Sequence, residues 1–132
     1  MERSDELKDV ALAMFEAASR QDPSGIDRHT SSDEGVLMIG TDPNEWTQGG
    51  ERVAEESRQE MQDSSTEFSP GVVEAFVEGT VGWISSRPVW TLEDGTQMPA
   101  RLPCVFHRED GEWKLVQGHV SVGVPNEELF GD

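Results

Sequence analysis

Four β-rich stretches fill the second half of the chain, and several are too long to lie in a flat sheet. VVEAFVE (72–78), VGWISSRPVWTL (81–92), QMPARLPCVFHR (97–108) and EWKLVQGHVSVGV (112–124) follow one another across short turns. Asp94-Gly95 and Asp110-Gly111 are hairpin signals, because a two-residue turn needs positive φ angles that Asp and Gly tolerate. Consecutive strands therefore pair antiparallel. A strand usually has about five or six residues, so the longer segments must bend. Gly82, Pro88, Pro99, Pro103 and Gly118 are places where a ladder can break or turn.

The first half is helical in pattern. Ser4 is placed to cap a helix over 4–21, Asp5 and Glu6 suit the positive end of its dipole, and Pro23 follows its end. Leu7, Val10, Ala11, Met14, Phe15 and Ala18 recur at three and four and form one apolar stripe. A short second helix is predicted over 24–30 with Ile26 inward, although Gly25 disfavours it. VLMIG (36–40) is an apolar run bounded by turn signals, hence a strand. Residues 50–63 predict a third helix, with Val53, Ala54, Ser57 and Met61 on its inner side and Glu51, Glu55, Glu56 and Glu60 in solvent. This order predicts a single α+β domain over 1–132, with three N-terminal helices packed on one face of a strongly bent antiparallel sheet. Such a bend leaves a conical cavity between sheet and helices.

Charge narrows the partners. The chain carries 27 acidic and 10 basic residues, a net charge of −17. That argues against nucleic acid and against anionic membrane, both of which are bound through positive charge. Only Lys8 and Lys114 are lysines. An acidic, lysine-poor composition fits either a protein kept soluble in high salt or an ordinary acidic cytoplasmic protein. No run of 18 apolar residues exists for a helical membrane span. The N-terminal segment lacks the basic start of a secretory signal. The lone Cys104 excludes an intramolecular disulfide and suits a reducing compartment, so a cytoplasmic location is expected. His29, His107 and His119 are not spaced as metal ligands, and neither metal nor cofactor is expected.

Two stretches carry a family resemblance. One is V-L-M-I-G-T-D-P-N-E-W followed by glycine and a helix, at 36–50. The other is R-L-P-C-V-F-H-R-E-D-G-E-W-K-L-V-Q-G-H-V-S-V-G-V-P, at 101–125. In these, and in its element order, the chain resembles the SnoaL-like branch of the NTF2-like superfamily, the cystatin-like α+β cone. The resemblance implies the cone fold and leaves activity open, because the superfamily includes isomerases, cyclases, dehydratases and transport factors. Its ketosteroid isomerases use an aspartate base with a tyrosine and a protonated aspartic acid as oxyanion donors. This chain has no tyrosine, and the base position falls near Met38–Gly40, which cannot ionise. The resemblance therefore does not imply ketosteroid isomerase chemistry. Nor can a SnoaL-type cyclase carboxylate be placed on the inner strand faces.

His119 shares the parity of Trp113, Leu115, Gln117 and Ser121, so it faces the cavity if the first two do. It reads either as an acid–base group or as a structural histidine. A two-residue turn at Asp110-Gly111 sets Leu102 opposite His119, and one bulge would bring Arg101 there instead. Arg101 then reads as an anchor for an anionic ligand or as a member of an ion pair. Trp46, in the polar loop after the first strand, reads as a lid over the cavity beside Phe15 or Met14, or as a hydrophobic plug. Trp83 lies in a strand apolar on both faces, so its side stays open. Trp90 falls at the rim or in a subunit contact, and Trp113 and Cys104 in the core. The expected ligand-contacting set is Trp46, Trp83, Arg101, Gln117, His119, Met38 and Phe15, with His119 as the catalytic candidate.

Three functions fit: a small-molecule-binding domain with an apolar pocket and a polar inner end, an isomerase, cyclase or hydrolase working through His119, or a non-catalytic dimeric scaffold. The last strands are apolar on both faces. Val116, Val120 and Val122 are therefore expected in a homodimer contact through the sheet, as the resemblance also implies.

Overall fold

The computed structural model describes residues 1–63 and 66–131. Helix α1 (Asp5–Ser19) begins at Ser4, whose Oγ accepts from the Leu7 N–H at 3.0 Å. It buries Leu7, Ala11, Phe15 and Ala17. Helix α2 (Ser24–His29) packs against it. Gly25 is what lets the two approach, for a β-carbon there would lie 2.6 Å from Ala17 Cβ. Helix α3 spans Gly50–Asp63. A short fourth helix, α4 (Asn126–Phe130), follows the last strand and buries none of its residues.

The strands in chain order are β1 (Glu2–Arg3), β2 (Leu37–Ile39), β3 (Trp46–Gln48), β4 (Glu67–Ser69), β5 (Val73–Glu78), β6 (Val81–Ser86), β7 (Val89–Thr91), β8 (Gln97–Pro99), β9 (Cys104–Glu109) and β10 (Glu112–His119). Seven of them form a sheet in the order β1-β5-β6-β9-β10-β2-β3, and β4-β7-β8 form a second. The predicted meander is there, with Asp110 and Gly111 both at positive φ in the last hairpin. One pair departs from the antiparallel expectation: β2 joins β10 in parallel, so the sheet is mixed. β2 is reached from the helical half of the chain, not through a hairpin, and nothing forces it to reverse.

The long segments break where the prolines stand. β6 leads into β7 across Arg87-Pro88, and β8 into β9 across Ala100–Pro103. The ladder nevertheless continues, through Leu102 N–H to Ser86 O (2.9 Å) and Ala100 N–H to Pro88 O (2.8 Å). The two sheets are thus one surface folded sharply, and its outer part, with β4, closes over α1. The core lies between: Leu7, Ala11, Phe15, Ile84, Leu102, Cys104, Phe106, Trp113 and Leu115.

Candidate functional site

The folded sheet and the three long-range helices enclose an open cavity of about 730 Å³. Its floor is buried, formed by Phe15, Leu102, Cys104 and Leu115. One wall is an aromatic run, Phe15 to Phe68 (centroids 5.4 Å) and Phe68 to Trp90 (6.4 Å), both tilted. Met14, Met38, Met61 and Met98 also line it, four of the five methionines in the chain. Met is unbranched and polarizable, so such a lining adapts to the shape of an apolar guest. The polar lining comes mainly from the rim: Thr41, Ser57, Gln59, Glu60, Asp63 and Thr66.

Helix α3 sets most of that rim. Val53, Ser57, Glu60 and Met61 stand at i, i+4, i+7 and i+8, on one face of a helix, and all four line the cavity. Glu60, expected in solvent, is exposed, and it stands at the cavity's edge. Its carboxyl is held above the ordinary range, first by burial and then by the neighbouring Glu45 and Glu56. On the floor, burial pushes the Cys104 thiol up to about 12. His29 is held below its usual value by burial and by Arg28 and Lys114. Among the described residues no group of three or more His, Cys, Asp or Glu is arranged to hold a metal.

Of the expected contact set, Phe15 and Met38 line the cavity. The other five lie elsewhere, and the register says why. One inner row crosses the sheet through Ala75, Ile84, Cys104, Gly118, Met38 and Thr47; the adjacent outer row runs Phe76, Trp83, Val105, Gln117, Leu37, Gln48. Between Leu115 and Gln117 the β9–β10 ladder shifts by one residue. A bulge of this kind reverses the alternation beyond it. Trp113 and Leu115 point inward as expected, but Gly118 takes the next inward place, and Gln117 and His119 point outward and are exposed. The bulge expected in this hairpin exists, at a position that turns His119 away from the cavity.

Arg101 is exposed opposite Ser121, to whose Oγ its Nε donates at 3.2 Å; Pro103, not Arg101, accepts from the His119 N–H. Trp83 stacks on Phe76 on the outer face (6.5 Å, interplanar 20°). Trp46 pairs with Ile39 at the sheet edge and is 61 % exposed. The loop before it is a tight turn (Gly40 N–H to Glu45 O, Glu45 N–H to Asp42 O), so it forms a hairpin and does not arch over the mouth. Trp90 is the tryptophan of the cavity. Parity carries it inward from Gly82, Ile84, Ser86 and Pro88, all buried, a signal the Pro88 break concealed.

A sharply folded α+β sheet closed by helices over a cavity defines the NTF2-like cone. The structure is similar to an NTF2-like protein of unknown function from Pseudomonas putida KT2440 (TM-score 0.79, 13 % identity, 93 % of this chain and 88 % of that one). It is also similar to an uncharacterized cystatin-like-fold protein from Caulobacter vibrioides (0.77, 14 %, 95 % and 92 %). A third is a protein from Streptomyces avermitilis provisionally described as a dehydratase of the NTF2-like family (0.76, 17 %, 92 % and 96 %). Residues 7–125 match the SnoaL-like domain model, and the chain belongs to that family. No curated protein is matched by sequence. No helix among the described residues is long and apolar enough to cross a membrane.

Proposed function

We propose that the cavity binds a small, largely apolar molecule. What carries the reading is the lining: an aromatic run and four methionines around about 730 Å³. That volume is within the range of pockets that enclose small organic ligands, roughly 300–1,000 Å³. An acid–base reaction through His119 has no support from its position, since its side chain lies on the far face of the sheet. The polar groups belong to the mouth on α3 and not to the inner end.

The experiment compares two tryptophans with a neutral probe, 1-naphthalenemethanol, by calorimetry. Trp90→Ala should weaken binding roughly fivefold to tenfold, the worth of an aromatic contact plus its area. Trp46→Ala should leave it unchanged. An equal effect of both substitutions, or no binding to the unaltered protein, sinks the reading.

We also propose that the protein pairs through the outer sheet face, along the row from Phe76 to Leu37.

A further inference from the structure

The cavity is uneven in charge. Two carboxylates, Glu60 and Asp63, stand in its rim, and among the described residues no Lys, Arg or His lines it. This is not only the acidity of the whole chain, because α3 carries two arginines of its own. Arg52 is drawn to Glu56 (3.3 Å) and Arg58 to Asp27 on α2 (2.5 Å), so each guanidinium is engaged away from the cavity. Among the described residues no cation pairs with Glu60. Its neighbours are already satisfied: Glu45 accepts from the Asp42 N–H, and Glu56 accepts from Thr47 Oγ1 and from Arg52.

A carboxylate at the lip of an apolar cavity, exposed to solvent and without a counter-charge, is free to pair with a bound cation. The apolar body of the same molecule would occupy the aromatic and methionine walls below. An anionic ligand would meet Glu60 and Asp63 at the entrance with no base to offset them. Resting on the pocket reading above, we propose that the ligand class is a hydrophobic amine, its ammonium held at the rim by Glu60 and its apolar part inserted toward Phe15, Phe68 and Trp90.

The test uses three probes of one skeleton: 1-naphthylmethylamine, 1-naphthalenemethanol and 1-naphthoic acid. They are titrated calorimetrically at neutral pH into wild type and Glu60→Gln. The measurements are made in about 1 M salt, where the screening length falls to about 3 Å and the general field of an acidic protein is suppressed. In wild type the amine should bind roughly twofold to threefold tighter than the alcohol, the order of an exposed ion pair in high salt, with the acid weakest. Glu60→Gln should bring the amine to the level of the alcohol and leave the alcohol unchanged. An alcohol or acid that binds wild type as tightly as the amine overturns the inference while the pocket stands. So does an amine preference that survives in Glu60→Gln, since it then comes from elsewhere. If the alcohol itself does not bind, the pocket reading fails and takes this inference with it.

Discussion

A β-carbon on Gly118 would stand 2.7 Å from the Met38 sulfur and 3.7 Å from the Cys104 sulfur. These residues meet on the inner row where β10 joins β2 and β9, so a side chain at 118 would have to displace the flexible end of Met38. The contact goes with the orientation of the last strand beyond its bulge: position 118 inward, Gln117 and His119 outward.

Gly118→Val should therefore drive Met38 into the cavity. Overpacking of this kind costs about 1–3 kcal/mol, measurable by chemical denaturation, and the neutral probe should bind more weakly because the displaced thioether occupies its space. Gly118→Ala should do the same to a smaller degree, since Met38 is flexible. Unchanged stability and probe affinity in both variants would place position 118 elsewhere.

The same contact explains what could and could not be read from the sequence. Helices α1, α2 and α3, the two D-G hairpins and the proline bends were legible because each has a local cause: a cap, a period, a turn dipeptide, a missing N–H. Phe15, Ile26, Ser57 and Met61 were legible as inward for the same reason, since helical period is local. The face of His119 was not, because one inserted residue at Val116 inverts it, and a bulge leaves no composition mark in a strand apolar on both sides. Gly118 was visible as a possible bend, yet its meaning depends on Met38, about eighty residues away in the chain. Trp46 was misplaced because the three-residue pairing of β3 with β2 is too short to announce itself. Glu60 was read as solvent-facing and is exposed; what its seven-residue spacing from Val53 added, and residue type concealed, is that it borders the cavity.

Glu60 gives a pH signature. Its folded pKa is raised above the ordinary 4.5, so the folded state holds its proton more tightly than the unfolded chain does. The stability tied to that proton is fully present below the unfolded value and is lost as pH rises through the folded one. Ionised at neutral pH, the carboxylate is a destabilising element. Glu60→Gln should raise the thermal midpoint at neutral pH, with the difference vanishing near pH 4 and below. The effect is modest, because the side chain is partly exposed and solvent screens it. A Glu60→Gln variant less stable than wild type at neutral pH would mean that the carboxylate already has a partner.

Cys104 lines the cavity floor but is 2 % exposed. With burial pushing its thiol up to about 12, the thiolate fraction at neutral pH falls roughly three orders of magnitude below that of a free cysteine. A neutral disulfide reagent should therefore react with the native protein much more slowly than with the unfolded chain. Filling the cavity with the naphthalene alcohol should slow it further. Reaction at the rate of a free cysteine would show that solvent reaches the floor.

The outer face makes the last prediction. Phe76, Trp83, Val105 and Leu37 lie in one row across the sheet, half-buried and interrupted by the exposed Gln117, with Ile39, His119 and the exposed Trp46 in the row beside it. Among the described residues no helix is packed on that side, whereas a one-layered antiparallel face in water is ordinarily polar. An apolar patch such as Phe76, Trp83 and Val105 suits an interface, and a two-fold pairing would let the row cover its own copy. The valines expected from sequence divide: Val116 stands at the bulge and Val122 is exposed, but Val120 packs against the core and drops out. Two subunits of charge −17 repel, and salt screens exposed charges beyond roughly 8–10 Å at about 0.1–0.15 M, so the dimer should tighten as salt rises. Trp83→Lys should give a monomer that still binds the neutral probe, since Trp83 is on the opposite face from the cavity. Sedimentation that finds wild type monomeric at high salt and micromolar concentration defeats the dimer. Loss of probe binding in Trp83→Lys would couple the two faces and overturn their independence.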